Sequence, residues 1–355
     1  MPLKLLPRAF MPIAIALVAL PALGATPDAV LHSTPKTVVR GFIASDTPPV
    51  LRIKSGQSVK IDTVSHAGVV DDPVAFFAKG GIPANQVLKD VIDIAKMPVE
   101  KGAGAHVLTG PIFIEGAAPG DMLEVRILKV DIRVPYGVNN PGPGGAAPDM
   151  IPERTSKIIK FDLARNVALF SKDIELPMAP FMGIMAVAPP PEVKRVGSRA
   201  PGLFGGNLDF KKLTAGATLY LPVFNDGALF VTGDSHAGQA DGEVDGNAIE
   251  ASMAPTLQFI VHKGLGKAMT APRAEDAENY YSLGLDQDLD KALTKSIKET
   301  VTFLGTKGLS PSDAYSLASI GVDYSVAEAV DETLVIYGKI PKSIFKTKTP
   351  YWAAP

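Results

Sequence analysis

Five carboxylates and one of the chain's five histidines fall within residues 233–250. Asp234 and His236 stand two apart, and Glu243 and Asp245 repeat that spacing after the turn dipeptide Asp241-Gly242. The apolar runs 218–224 and 228–232 just before them read as buried strands. If the second strand continues into the motif, Asp234 and His236 project from one face and Ser235 from the other. Two such pairs on adjacent strands converge on one point. That is a site of oxygen and imidazole donors without thiolate, suited to a divalent cation, zinc or a harder ion. His236 reads as ligand or general base, and Asp234 as ligand. Glu243 reads as ligand or general base, because a bare carboxylate beside a buried site is costly. The competing readings are a hydrogen-bonded core histidine for His236, a cap or turn residue for Asp234, and a purely conformational Asp241.

Other residues could join them. Asp209, in Gly205-Gly206-Asn207-Leu208-Asp209, is placed to orient a substrate or a reacting group, and the two glycines would let backbone approach a ligand closely. His106 is either a fifth donor or a strand-end surface histidine. His66 sits in a loop before Asp71-Asp72 and carries little signal alone. Glu115 is a site acid or an edge charge, His262 reads as surface, and His32 as disordered. Ser235 cannot pair with His236, since neighbours on a strand face opposite ways.

The balance of 35 basic and 37 acidic residues gives a net charge of −2. No nucleic-acid partner is expected, because no basic stripe with interleaved aromatics is present. The chain has no cysteine. That excludes disulfides, a thiol nucleophile and a lipid anchor on an N-terminal cysteine. Lys4 and Arg8 precede an apolar run at 10–23, too short for a comfortable membrane span. Small residues follow, so residues 1–24 read as a signal peptide cleaved before Ala25. The expectation is an exported protein, periplasmic or secreted, with no membrane partner after processing.

The elements that must hold these side chains are mostly strands. Residues 51–54, 59–62 and 122–130 alternate as half-buried strands do, and 82–96 is the only helical candidate in the first half. Residues 136–152 form a Pro/Gly loop, a lid or a plain excursion. Beyond 256–261, Leu289, Leu293, Ile297, Val301 and Leu304 recur at helical spacing behind Asp288 as N-cap. Ser310-Pro311 opens a second helix. Many strands followed by a helical pair predict an α+β fold, mainly antiparallel β. The division expected is 25–255 as the mainly β catalytic portion and 256–355 as an α+β portion, packed as one unit.

The run Gly233-Asp234-Ser235-His236-Ala237-Gly238-Gln239-Ala240-Asp241-Gly242-Glu243-Val244 resembles the signature of the acetamidase/formamidase family. Residues 109–121, 205–209 with 213–222, 282–290, 308–315 and 340–342 resemble further family blocks, in the same order. The resemblance implies a β-sandwich-like architecture with a smaller C-terminal α/β part. It also implies a homo-oligomer and a hydrolase cleaving the C–N bond of small linear amides to carboxylate and ammonia. Some members have a histidine where His106 stands. On this basis the metal ligands are Asp234, His236, Glu243, His106 and Asp245, and the reacting groups Glu243, His236 and Asp209. The backbone N–H groups of Gly205, Gly206 and Asn207 would stabilise the oxyanion. Two positions depart from the family pattern: Asp245 stands where many members have cysteine, and Phe204 where many have histidine. The alternative they support is a non-catalytic periplasmic binding or scaffold protein that keeps the fold.

Overall fold

The computed structural model describes residues 26–351. The signal peptide read in residues 1–24 lies outside them. Two sheets face each other. The larger has nine strands in the order Ala29–Leu31, Ser58–Ile61, Met253–His262, Met122–Ile132, Thr218–Pro222, Arg273–Glu275, Asn279–Asp286, Leu334–Pro341 and Asp323–Glu328. All its pairings are antiparallel except the first. The boundary expected after residue 255 falls inside the strand Met253–His262, and one sheet continues through both portions.

The second sheet runs Gly205–Asn207, Phe181–Ala186, Phe230–His236, Val107–Glu115 and Val38–Arg40. Leu51–Lys54 pairs in parallel with Val107–Glu115. Period-two alternation explains how the sheets meet. Leu123, Val125 and Ile127 point inward from the first sheet, as do Leu257 and Phe259. They join Leu108, Ile112, Ile184 and Phe230 from the second in one core. The Phe230 and Phe259 rings, one from each sheet, lie 4.9 Å apart. Phe181–Ala186 is buried at every position. A smaller antiparallel sheet, Tyr136–Asn139 through Ile174–Pro177, flanks this sandwich.

The helices differ from expectation in two respects. The segment 82–96 is not one helix. It holds one turn of 3-10 helix, Ala84–Gln86, and the short helix Lys89–Ala95, and a second short helix, Pro73–Ala78, precedes it with Asp72 capping through Ala75 N. Pro83 interrupts the pattern between them. The long helix Leu289–Gly305 starts at Asp288 as expected, but it buries Ala292, Ser296, Thr300, Phe303 and Leu304. Leu289, Leu293, Ile297 and Val301 stay exposed or half-buried. The cause is Gly284 beneath it, where an added Cβ would lie 2.0 Å from the Ala292 carbonyl oxygen. So close an approach selects small side chains, and Ser282 bonds the Thr300 hydroxyl at 2.7 Å. Ser310 caps Pro311–Gly321 through Asp313 N, as predicted.

Candidate active site

The strand Phe230–His236 does continue into the motif, and all seven of its residues are buried. Asp234 and His236 share a face. Ser235 points away, its hydroxyl bonding the Ala251 carbonyl and Thr63 Oγ1. Asp234 adopts φ 53°, a left-handed conformation that an aspartate tolerates better than most residues. Beneath it lies Gly183 on the neighbouring strand. A Cβ there would come within 2.4 Å of Asp209 Oδ1 and 2.6 Å of Asp234 Oδ2. The missing side chain at Gly183 is what lets both carboxylates settle over the strand.

Four distant segments bring donors to this point. His236 Nε2 lies 3.3 Å from Asp234 Oδ2 and 3.3 Å from Glu250 Oε1. His66 Nδ1 is 3.1 Å from Asp234 Oδ1 and 3.7 Å from Glu250 Oε2. His106 Nε2 is 3.7 Å from Asp234 Oδ1. The His66 and His106 rings meet edge to face at 4.9 Å. On the other side of His236, Asp209 Oδ1 stands 3.8 Å from Nδ1, and Glu243 completes a group with them. Asp331, from the loop after Asp323–Glu328, accepts from the Asn207 amide at 2.6 Å and from Arg199 at 3.2 Å.

Second contacts orient the His236 and His106 rings toward the cluster. Gln239 donates through Nε2 to the Asp209 carbonyl at 2.7 Å, so its Oε1 accepts from His236 Nδ1 at 3.0 Å. That places a proton on Nδ1 and turns Nε2 toward Asp234 and Glu250. His106 Nδ1 contacts Ser198 Oγ at 2.9 Å, which turns its Nε2 toward Asp234.

The charges perturb one another. Burial would raise the Asp234 carboxyl, but His106 and His236 outweigh it and hold it well below the usual range. Burial would lower His236, yet Glu250 and Asp234 raise it well above its ordinary value. His66 is raised on balance, by Asp234 and Glu250 against burial, whereas burial lowers His106. Asp209 and Glu243 are pushed well up, chiefly by burial. Burial also raises Asp331.

A divalent cation fits these donors. Asp234 Oδ1, His236 Nε2, His66 Nδ1 and Glu250 Oε2 are buried without a hydrogen-bond partner, although they converge. Two carboxylates buried together are expensive unless positive charge compensates them. Donors sharing one ion at ~2.1 Å stand about 3.0–3.5 Å apart. The separations of 3.1 and 3.3 Å around Asp234 match that edge.

Of the residues expected from sequence, Asp234, His236, His106, Glu243 and Asp209 come together. Asp245 does not. It lies half-exposed, and its Oδ1 accepts from Asn247 N within the same turn. The alternation assumed there fails because residues 241–246 form turns, with φ positive at Gly242, Glu243 and Gly246. Glu243 is therefore presented by a turn, not by a strand. Gly205 offers no oxyanion donor, since its N–H bonds the Gly202 carbonyl at 3.0 Å. Gly206 and Asn207 pair with Met185 and Ile184 in the sheet. Phe204 is buried, its ring lying between Gly202 and Gly206. Glu115 is exposed at its strand end. His262 contacts Glu124 at 2.5 Å, and His32 is ordered against Asp62 at 2.6 Å. Sequence reasoning missed Glu250 and Asp331 and undervalued His66. A bridge between His236 and Glu250 brings the latter back to the motif's own strand.

A mainly antiparallel β-sandwich with a buried imidazole–carboxylate cluster at the end of its central strand Phe230–His236 defines the class of protein. The acetamidase/formamidase family model matches residues 42–204 and 194–347, and the chain belongs to that family. It is 26% identical over 257 residues to a formamidase of Methylophilus methylotrophus, covering 56% of this chain and 58% of that protein. The match to each of three curated relatives spans less than two thirds of the relative's length. The fold is similar to that of a predicted acetamidase/formamidase from Thermoanaerobacter tengcongensis (TM-score 0.74, 26% identity, 89% of this chain and 96% of that one). An acetamidase structure from Bacillus halodurans gives TM-score 0.73, 26% identity and coverage of 89% and 98%.

Proposed function

We propose that the protein hydrolyses the C–N bond of small linear amides, formamide- or acetamide-like, to a carboxylate and ammonia. The observation that carries this reading is the convergence of orphaned, buried donors on Asp234, within a chain of the amidase family. His66, His106, Asp234, His236 and Glu250 would hold a divalent cation. When bound, such a cation polarises the amide carbonyl and acidifies water.

The chain's own groups do the rest. Gln239 holds His236 in one tautomer and one ring orientation, and the Phe181 ring packs edge-on against it at 5.0 Å. His236 is thereby committed to the cluster, which leaves proton transfer to Glu243. Its Oε2 is buried without a partner. Burial raises its affinity for protons well above that of an ordinary carboxylate, and a carboxyl without a fixed partner is free to take a proton and return it. Glu243 takes the proton of the attacking water and gives one to the departing nitrogen. Asp209 stands on the same side of His236 as Glu243. Export through residues 1–24 and assembly as a homo-oligomer belong to the same reading. A mature N-terminus near Ala25, found by mass spectrometry, tests the export.

Ammonia release from formamide and acetamide, with a divalent cation present, tests the reaction. Glu243→Gln removes base and charge at constant shape, so turnover should fall by about two orders of magnitude or more. His236→Ala should lose cation as well as rate. Unchanged release in both variants would reject the mechanism. No release by the wild type from any small amide would instead support the non-catalytic binding alternative.

A further inference from the structure

Beside the cluster lies a small cavity of about 10 Å³ that the mechanism above does not use. Its near side is made by Ser65 and Glu250, its far side by Phe77, Val91, Val134 and Tyr136. The two sides differ in chemistry. Glu250 Oε2 and Ser65 Oγ are buried without a hydrogen-bond partner, and Ser65 directly precedes His66. The far side is apolar. The helical pair Pro73–Ala78 and Lys89–Ala95 supplies half of it, through Phe77 and Val91.

The far wall is firmly set. The Phe77 ring packs on Gly68, where a Cβ would come within 2.7 Å of it, and meets the Tyr136 ring at 4.7 Å. The Tyr136 hydroxyl donates to the Gln86 carbonyl at 3.0 Å, which ties the strand to the connection between the helices. On the cluster side, His66 and His106 keep side-chain exposures of 15% and 11%, against 1–3% for Asp234, His236 and Glu250. The two imidazoles are thus the most exposed members of the cluster, and Ser65, the neighbour of His66 in the chain, lines the cavity.

We propose that this cavity receives the acyl substituent of the amide, and that Phe77 and Val91 set the longest acyl chain the enzyme accepts. The proposal rests on the amidase reading of the site. Its magnitude follows from the volume. A cavity of this size holds about one water-sized group, which is a methyl. Formyl and acetyl groups fit, whereas a propionyl group needs a second carbon where the Phe77 ring stands. One methylene too many in an apolar pocket is discriminated by roughly ten- to two-hundred-fold.

The test is the chain-length profile of kcat/KM for formamide, acetamide, propionamide and butyramide, measured as ammonia release. In Phe77→Ala the propionamide-to-formamide ratio should rise at least about tenfold over the wild type, and Val91→Ala should shift it in the same direction by less. A ratio within twofold of the wild type in both variants overturns the proposal and leaves the cavity as a water site. Loss of turnover on every amide in both variants, with the fold intact by circular dichroism, also overturns it, because the helices would then serve only to hold His66. If Phe77→Ala fails to fold, Val91→Ala decides alone. A wild type that turns over formamide but prefers butyramide refutes the acyl limit without touching the amidase reading. A wild type that releases no ammonia from any of the four refutes that reading itself.

Discussion

Gly183→Ala is the smallest change that strikes the floor of the cluster. Gly183 does not have positive φ, so alanine suits its backbone and the effect is one of space alone. Its Cβ would lie 2.4 Å from Asp209 Oδ1, 2.6 Å from Asp234 Oδ2 and 2.9 Å from the Asp234 carbonyl oxygen. Ordinary contact begins near 3.4 Å. Taking 3.4 less 2.4 and 3.4 less 2.6, the two carboxylates must retreat by 1.0 and 0.8 Å. The Asp234 carbonyl cannot rotate away, so the strand itself must yield by about half an ångström, the scale on which a productive constellation is already lost. Overpacking of this kind costs roughly 1–3 kcal/mol, a loss that a chain of this size should survive folded. Cation ligands tolerate errors of only ~0.2 Å, and a displacement near 1 Å costs catalysis on the order of a hundredfold. The assay is kcat/KM for formamide with cation content measured on the same sample, alongside the thermal midpoint. The variant should lose most of its cation and about two decades of kcat/KM while its midpoint falls by only a few degrees. Wild-type cation content with activity within threefold would show that Asp209 and Asp234 do not act from the positions described.

Two further outcomes follow from contacts outside the donor set. Gln239→Leu removes the acceptor that holds His236 Nδ1–H and the donor to the Asp209 carbonyl. Cation affinity by chelator competition should weaken about 10–100-fold, and an unchanged affinity would deny Gln239 its orienting role. Glu328 is fully buried, and burial followed by Asp331 raises its carboxyl to about 8 from 4.5. The folded state then binds the proton more tightly than the unfolded one. Its contribution to stability is whole below about 4.5 and falls as pH rises to about 8. Glu328→Gln, which keeps an acceptor for Val330 N and Asp331 N, should remove that slope. The midpoint difference between variant and wild type should therefore widen in the variant's favour by pH 8. A difference that stays constant from pH 5 to 8 would contradict this.

What could be read from the chain was whatever depends on local period. Asp234 and His236 share a face because the strand really does continue, and Ser235 is turned away for the same reason. The caps at Asp288 and Ser310 are single-residue signals and stand as read. What failed depends on contacts that no local pattern encodes. Asp245 was placed by extending a strand period through residues where glycine-rich turns break it. Glu250 reaches His236 by a bridge from beyond that loop. His66 arrives on a single turn of helix, His66–Gly68, and Asp331 on the loop joining the last two strands. The stripe of Leu289, Leu293 and Ile297 was outvoted by Gly284, whose close approach selects serine, threonine and alanine for the helix's inner face. The signals that could have been found are these pairings of glycine with a functional or packed neighbour, and they become visible only once two segments are known to touch.

The central claim is that Asp234 stands at the middle of a cation site. Elemental analysis of the purified protein, loaded with divalent cation, desalted, and compared with Asp234→Asn, tests it most directly. The wild type should retain at least one divalent cation per chain, and the variant, folded by near-ultraviolet circular dichroism, should retain almost none. A wild type that binds no divalent cation, or a variant that holds as much as the wild type, would contradict the account.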